Sequence, residues 1–249
     1  MKNNRKDGIL RFDFEKKPIK PCFLMNLAKW IISWPDLKKR NFKLTKINMD
    51  GVKSPYLLLV THSSMVDFNI MLKATHPNPV NNVMTLEGFN TYTEPLMRSL
   101  GVLGTRKFIS DLHLIKNIKY CISKLGTIFV LFPEARYSLD GCTSYLPDST
   151  GKLVRMLKVP VVVLRIHGNF VTCPQWNKKN KKTYVEAEME QILTPEQIKD
   201  MNADKINHLI KEKFRYDDYR WQYENKLAIT HPGRADGLHA LLYKCPACG

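Results

Sequence analysis

The sequence predicts an α/β fold: a mostly parallel sheet flanked by helices, preceded by an amino-terminal helix suited to a membrane surface. Three observations carry this. Short, continuous apolar runs rich in Val, Leu and Ile alternate with helical stretches of ten to fifteen residues, the pattern of crossover units in a sheet buried on both faces. The chain has 249 residues and 44% hydrophobic composition, enough for a substantial core, so disorder is excluded as its main state. No apolar run approaches the roughly 18 to 20 uncharged residues of a bilayer span, which excludes a polytopic membrane protein.

The elements follow in order. Residues 21–40, PCFLMNLAKWIISWPDLKKR, form an apolar helix carrying Trp30 and Trp34, closed by Pro35 and followed by Lys38, Lys39 and Arg40. Indole rings and cations at one end of a short apolar helix suit the headgroup region of an anionic membrane. The same residues also fit a helix packed on the domain with its cations solvated. Residues 56–61 read as a buried strand, 66–74 as a helix and 82–86 as a second strand. A short helix over 95–100 ends at Gly101. A longer one over 111–125 starts after Ser110 and stops at Gly126. Residues 127–132 are the strongest strand signal in the chain. A helix over 149–157 leads into the apolar strand that begins at Val159. KKNKK (178–182) reads as an exposed hairpin tip, 183–191 as an edge strand, and Thr194 with Gln197 as a capping box opening a helix to about Tyr216. The organisation is thus a basic segment with a membrane-surface helix (1–50), an α/β domain (51–216), and a polar, aromatic-rich tail (217–249).

Charge narrows the partners. The chain carries 39 Lys and Arg against 23 Asp and Glu, a net +16, and residues 1–55 alone contribute +9. Such an excess asks for an anionic partner: nucleic acid, a lipid surface or a phosphorylated substrate. The opening residues lack the apolar stretch and cleavage site of a secretory signal. Of the six Cys, four have no neighbour at disulfide or metal spacing, so a reducing, intracellular setting is expected.

Chemistry concentrates at strand ends. His62 and Asp67 lie five apart in THSSMVD, where the first core strand gives way to a helix. A His is suited to take a proton near neutral pH, and an Asp on its other ring nitrogen fixes the tautomer. The same spacing recurs at His231 and Asp236, but beside Pro232 and Gly233, which reads as a surface turn. Downstream, Arg106 and Lys107 follow GVLGT, and Glu134 and Arg136 sit in FPEARYS after the strongest strand. The carboxyl ends of parallel strands are where open α/β sheets bind ligands.

Taken in order, HSSMVD, GVLGTR, FPEARYS and VPVVV resemble the four sequence blocks of the glycerolipid acyltransferases, whose best-known members are 1-acyl-glycerol-3-phosphate acyltransferases. The resemblance covers roughly residues 55–170. It implies a fatty acyl transfer from an acyl-CoA or acyl-carrier-protein thioester to a lysophospholipid hydroxyl, with lysophosphatidic acid giving phosphatidic acid as the leading case. His62 would be the general base oriented by Asp67. Backbone N–H groups in the turn after His62 would stabilise the oxyanion, and Arg106, Lys107, Glu134 and Arg136 would bind the acceptor and its phosphate. No cofactor is required by that chemistry, and the expected location is peripheral or monotopic on the cytoplasmic face of a membrane. Two departures stand out: four residues rather than five separate Gly101 from Arg106, and the family's Phe-Pro-Glu-Gly-Thr-Arg-Ser is replaced by Ala135, Arg136 and Tyr137 after Glu134.

The terminal CPACG offers Cys245 and Cys248 as half of a zinc knuckle or as a redox dithiol; a structural zinc site needs two further ligands, from the rest of a zinc ribbon, from a second chain, or from a distant His such as His231 or His239. With the charge and KKNKK, it motivates the main alternative, a nucleic-acid-binding protein with a zinc-ribbon tail. That alternative leaves the four ordered blocks unexplained, so nucleic acid is the less favoured partner. A catalytically silent membrane-binding relative is the third.

Overall fold

The computed structural model describes residues 12–90, 92–106, 111–177, 179, 181, 183–244 and 247. Lys107, Cys245 and Cys248, and with them the expected zinc knuckle, lie outside the described residues, as does Ser110.

Helix α1 (Phe23–Lys38) leads into strand β1 (Lys43–Ile47). Then follow β2 (Leu57–Val60), α2 (Val66–Thr75), β3 (Val80–Thr85), α3 (Glu94–Ser99) and β4 (Val102–Thr105). The next elements are α4 (Leu112–Tyr120), β5 (Ile128–Leu131), α5 (Ser149–Leu157), β6 (Val161–His167) and the single turn α6 (Asn169–Thr172). The last are β7 (Glu186–Leu193), α7 (Pro195–Asp200), α8 (Ala203–Lys213) and α9 (Asp218–Glu224). The strands make one sheet in the order β1-β7-β6-β2-β5-β3-β4. From β6 to β4 every pair is parallel; β7 runs antiparallel to β6, and β1 parallel to β7.

The continuous apolar runs follow from burial on both faces. Leu58, Val60, Ile128, Val130, Val162 and Leu164 point to one side, under Leu37 of α1 and Val66, Ile70 and Met71 of α2. Leu57, Leu59, Phe129, Val161 and Val163 point to the other, under Ile118 of α4, Val154 of α5 and Ile206 and Ile210 of α8. Successive strand residues alternate faces, so a strand covered by helices on both sides favours apolar residues at every position, and a polar one such as Asn81 of β3 is buried only with its partners, here the Gly101 carbonyl and the Thr127 hydroxyl.

Several boundaries differ from expectation. Asp111, whose side chain accepts from the Leu114 amide at 3.0 Å, caps α4. Pro35 lies inside α1 instead of closing it. The last turn persists because the Lys39 amide bonds the Pro35 carbonyl at 3.3 Å and Arg40 bridges Asp36 at 3.1 Å. The 194–216 segment is two helices, since Asn202 accepts from the Lys205 amide and starts a new one after Asp200. Its capping box at Thr194 and Gln197 is present. The strand expected at an edge, β7, sits between β6 and β1. Its alternation reports one solvated face, on which Glu188 and Glu190 pair with Arg165 and Lys213 while Ala187 and Met189 are buried. The edge is taken by β1, whose KLTKI was too polar to stand out. In KKNKK, Lys179 is exposed but Lys181 is buried, so the segment is not simply a solvated tip.

Candidate active site

Because β6, β2, β5, β3 and β4 are parallel, their carboxyl ends share one edge of the sheet, and the chain leaving β2, β4, β5 and β6 carries His62, Arg106, Glu134 and Asn169 there. His62 stands two residues beyond β2. Its Nδ1 lies 3.0 Å from Oδ2 of Asp67, in the first turn of α2; the five-residue separation closes because Ser63, Ser64 and Met65 turn sharply into the helix.

The Asp67 carboxylate is fully buried and receives donors from every side. Oδ2 accepts the Ser63 amide at 2.7 Å and the Ser64 amide at 3.0 Å, and Oδ1 accepts the side-chain N–H of Asn169. Burial pushes this carboxyl above the usual carboxylate range, and the His62 ring and the two amides pull the other way. With two amide donors already on Oδ2, a proton there would be crowded, so in this hydrogen bond the His62 Nδ1–H is the donor, which leaves Nε2 as the ring nitrogen turned away from Asp67. In the turn that the resemblance implies would supply oxyanion donors, the amides of Ser63 and Ser64 both donate to Asp67 Oδ2. Asn169 is itself aimed by the Ser64 hydroxyl, which donates to its Oδ1 at 2.9 Å.

Glu134 is turned into the protein. Its Oε2 accepts the backbone N–H of His62 at 2.8 Å and its Oε1 accepts that of Ser144 at 2.6 Å. Burial raises its pKa to about 7 against those two hydrogen bonds. The backbone of Ser138 donates to the His62 carbonyl at 2.8 Å, so the loop after β5 clamps His62 by both of its peptide groups. The loop turns at Ala135, which holds the left-handed φ of 54° where the resembling family has Gly. That turn sends Glu134 inward, leaves Arg136 exposed without a hydrogen bond or ion pair among the described residues, and returns Tyr137 onto His62. The imidazole lies between the rings of Tyr137 and Phe132, at centroid distances of 4.1 and 4.3 Å, and the Tyr137 hydroxyl reaches the Met65 sulfur at 2.8 Å.

Thus His62, Asp67 and Glu134 come together. Arg106, exposed at the end of β4, stacks on the Phe14 ring at 4.7 Å, and neither it nor Arg136 bonds to the other three. The His231–Asp236 pair is a surface turn: His231 Nδ1 accepts the Gly233 amide and Asp236 pairs with Lys179. Among the described residues no group of three or more His, Cys, Asp or Glu could hold a metal ion, and no helix is long and apolar enough to cross a membrane.

Sequence reasoning missed the support of Asp67. Asn169 follows β6 in HGNF, and its loop is fixed by Asp218 at the start of α9, fully buried and accepting the amides of Gly168 at 3.2 Å and Phe170 at 2.7 Å. A polar Asn and Gly directly after an apolar strand was the available signal for the first. Nothing local marks Asp218.

A scan against protein-family models matches none, and a search of curated protein sequences finds none similar. Among solved structures, the chain is similar to the 1-acyl-sn-glycerophosphate (LPA) acyltransferase PlsC from Thermotoga maritima, with a TM-score of 0.55 and 14% identity over 77% of this chain and 81% of that one. The sheet, its flanking helices and the amino-terminal helix are those of a glycerolipid acyltransferase-like fold.

Proposed function

We propose that this chain is an O-acyltransferase, moving a fatty acyl group from an acyl-CoA or acyl-carrier-protein thioester to the free hydroxyl of a lysophospholipid, with lysophosphatidic acid giving phosphatidic acid as the leading case. The observation that carries the reading is the His62 ring, held by buried Asp67 at the ligand-binding edge of the sheet. His62 Nε2 takes the acceptor hydroxyl's proton as its oxygen attacks the thioester carbonyl; the C–S bond breaks, and the imidazolium returns the proton to the departing thiolate. The transfer is redox-neutral and needs no cofactor. Arg106 and Arg136, both exposed on loops leaving that edge, are offered to the acceptor phosphate, together with Lys107. The exposed apolar face of α1 would rest in the interface of an anionic membrane, making the protein peripheral or monotopic, on the cytoplasmic side where the thioester donors are.

The test is thiol release from a long-chain acyl-CoA, and then from an acyl-carrier protein, with and without a panel of lysophospholipids. Release should require a lysolipid and fall by roughly 10²- to 10⁴-fold in His62→Ala. Release without an acceptor would make the chain a thioesterase, and none with either donor would leave a silent membrane-binding relative.

A further inference from the structure

Asp67 is fully buried, and among the described residues no lysine or arginine pairs with it; its ion-pair partner is the His62 ring. The other titratable groups that act on it are Glu134 from the loop after β5, Asp218 from α9, and the phenols of Tyr137 and Tyr216. A buried carboxylate in such company keeps its charge through N–H donors. On Oδ2 these are the Ser63 and Ser64 amides and the His62 ring. On Oδ1 the donor is the Asn169 side chain. Without Asn169, Oδ1 would have no hydrogen bond among the described residues, and it would be the oxygen open to a proton.

Asn169 is fixed in both of the ways this requires. Its Oδ1 accepts the Ser64 hydroxyl at 2.9 Å, so its NH₂ faces Asp67; the flipped amide would set two oxygens against each other. Its backbone is held on either side, because Asp218 accepts the amides of Gly168 and Phe170. Gly168 has a φ of 76°, and a Cβ there would lie 2.7 Å from the Trp221 ring and 2.7 Å from the Tyr184 carbonyl, so the turn before Asn169 admits only glycine. Asp218 and Trp221 both belong to α9, which thereby sets where Asn169 stands.

We propose that Asn169, anchored by α9, is a positioning residue for the proton transfer at His62: its N–H closes Oδ1 of Asp67 to a proton, so Asp67 remains the acceptor of the His62 Nδ1–H and Nε2 remains the basic nitrogen. If Asn169 is lost, a proton on Oδ1 neutralises Asp67 and weakens its hold on Nδ1–H. The ring is then free to take the Nε2–H tautomer, which cannot accept a proton from a substrate hydroxyl at that nitrogen. That Nε2 takes such a proton rests on the acyl-transfer reading; the lock on the ring does not.

Nitrogen-15 spectra of the histidine rings in the full chain at a mildly alkaline pH read the tautomer without turnover, with the His62 signals assigned by their absence in His62→Gln. The Nδ1–H form should predominate in the unmodified chain and lose that predominance in Asn169→Ala and in Asn169→Leu, which keeps the side-chain volume. Ser64→Ala, which frees the Asn169 amide to turn, should shift the ring less in the same direction, and it keeps the test valid should both Asn169 variants fail to fold. In acyl transfer, kcat should fall by roughly 10- to 100-fold in the Asn169 variants with acceptor KM within about twofold. If the ring keeps its Nδ1–H form in every folded variant, or lacks it in the unmodified chain, the proposal is overturned, as it is if kcat stays within about twofold. A ring that responds to Asn169 in a chain that transfers no acyl group would leave the lock standing and remove the acyl-transfer reading.

Discussion

His62 is held by its peptide groups as firmly as by its ring, and Glu134 is central to that hold. Both carboxylate oxygens accept backbone N–H groups, of His62 and Ser144, so the residue needs to be an acceptor at both ends. Glu134→Gln keeps the shape but turns an NH₂ against one of those donors. An unpaired buried donor costs about 1–3 kcal/mol, and the His62 backbone relaxes to relieve it. The expected result is a fall in kcat of about tenfold or more with acceptor KM within about twofold, because both carboxylate oxygens are engaged by backbone amides and the change reaches the chemistry through the His62 backbone. Steady-state kinetics against a lysophospholipid distinguishes this from direct acceptor binding, which would raise KM at unchanged kcat. At this scale the sequence shows what is close along the chain. His62 and Asp67 were legible because only four residues separate them across a strand-to-helix turn. Asn169 and Asp218 were not, because Asn169 lies 102 residues from Asp67, and Asp218 lies 48 residues from Phe170, whose amide it accepts. Arg136 was legible as a cation but its direction was not, since the left-handed turn at Ala135 decides it.

Among the elements, α1 has two faces with different partners. Inward, Leu37 is buried under the sheet, Trp30 stacks on His76 at 5.1 Å, and Lys29 turns back to the Leu100 carbonyl at 2.5 Å. Outward, Leu24, Ile31 and Ile32 lie on one side with 72, 55 and 78% of their surface exposed, and Lys38 and Lys39 follow. Arg40 is different from its neighbours: it is buried and ion-paired with Asp36, so it is part of the helix end and not of a membrane-facing cluster. Burying an Ile side chain is worth about 1.5–3 kcal/mol, so Ile31→Asp with Ile32→Asp should reduce binding to anionic vesicles by at least about tenfold while leaving the thermal midpoint nearly unchanged. Lys38→Glu with Lys39→Glu should weaken it less, by about tenfold at low ionic strength, and the loss should shrink as salt is added. Co-sedimentation with vesicles of defined anionic content reads both, and unaltered binding in the Asp pair would remove α1 from the membrane contact. The apolar, buried elements of this sheet were readable from sequence because burial on both faces forces unbroken Val, Leu and Ile. Strand β1 was not, because an edge strand with one solvated face has no such constraint, and neither was the placement of β7, because period-two alternation says which face is wet and not how many neighbours the strand has.

Across the whole molecule, the described carboxylates include two buried ones that no cation neutralises, and both brace the loops around His62. Glu134 and Asp218 each have a pKa raised to about 7, in both cases chiefly by burial, against ordinary values of 4.5 and 3.8. Backbone amides hold both, and the nearby Asp67 charge adds to the upward shift of each. A raised carboxyl binds its proton more tightly in the folded chain than in the unfolded one, so between about pH 4 and pH 7 the native state holds more protons. Stability conferred by these two groups is therefore fully present below the unfolded values and is lost as the pH rises through about 7. The same ionisation that loosens the fold completes the acceptor pattern each loop needs, since only the carboxylate can accept both amides without presenting a proton to one of them. Denaturant midpoints for the unmodified chain should fall from pH 5 to pH 8 and then level off. Asp218→Asn removes one titrating group, so it should start lower, having lost an acceptor for the Gly168 or Phe170 amide, and show a shallower fall over the same interval. An equal or steeper slope in the Asn variant would show that Asp218 is ionised throughout, with its two amide donors outweighing its burial.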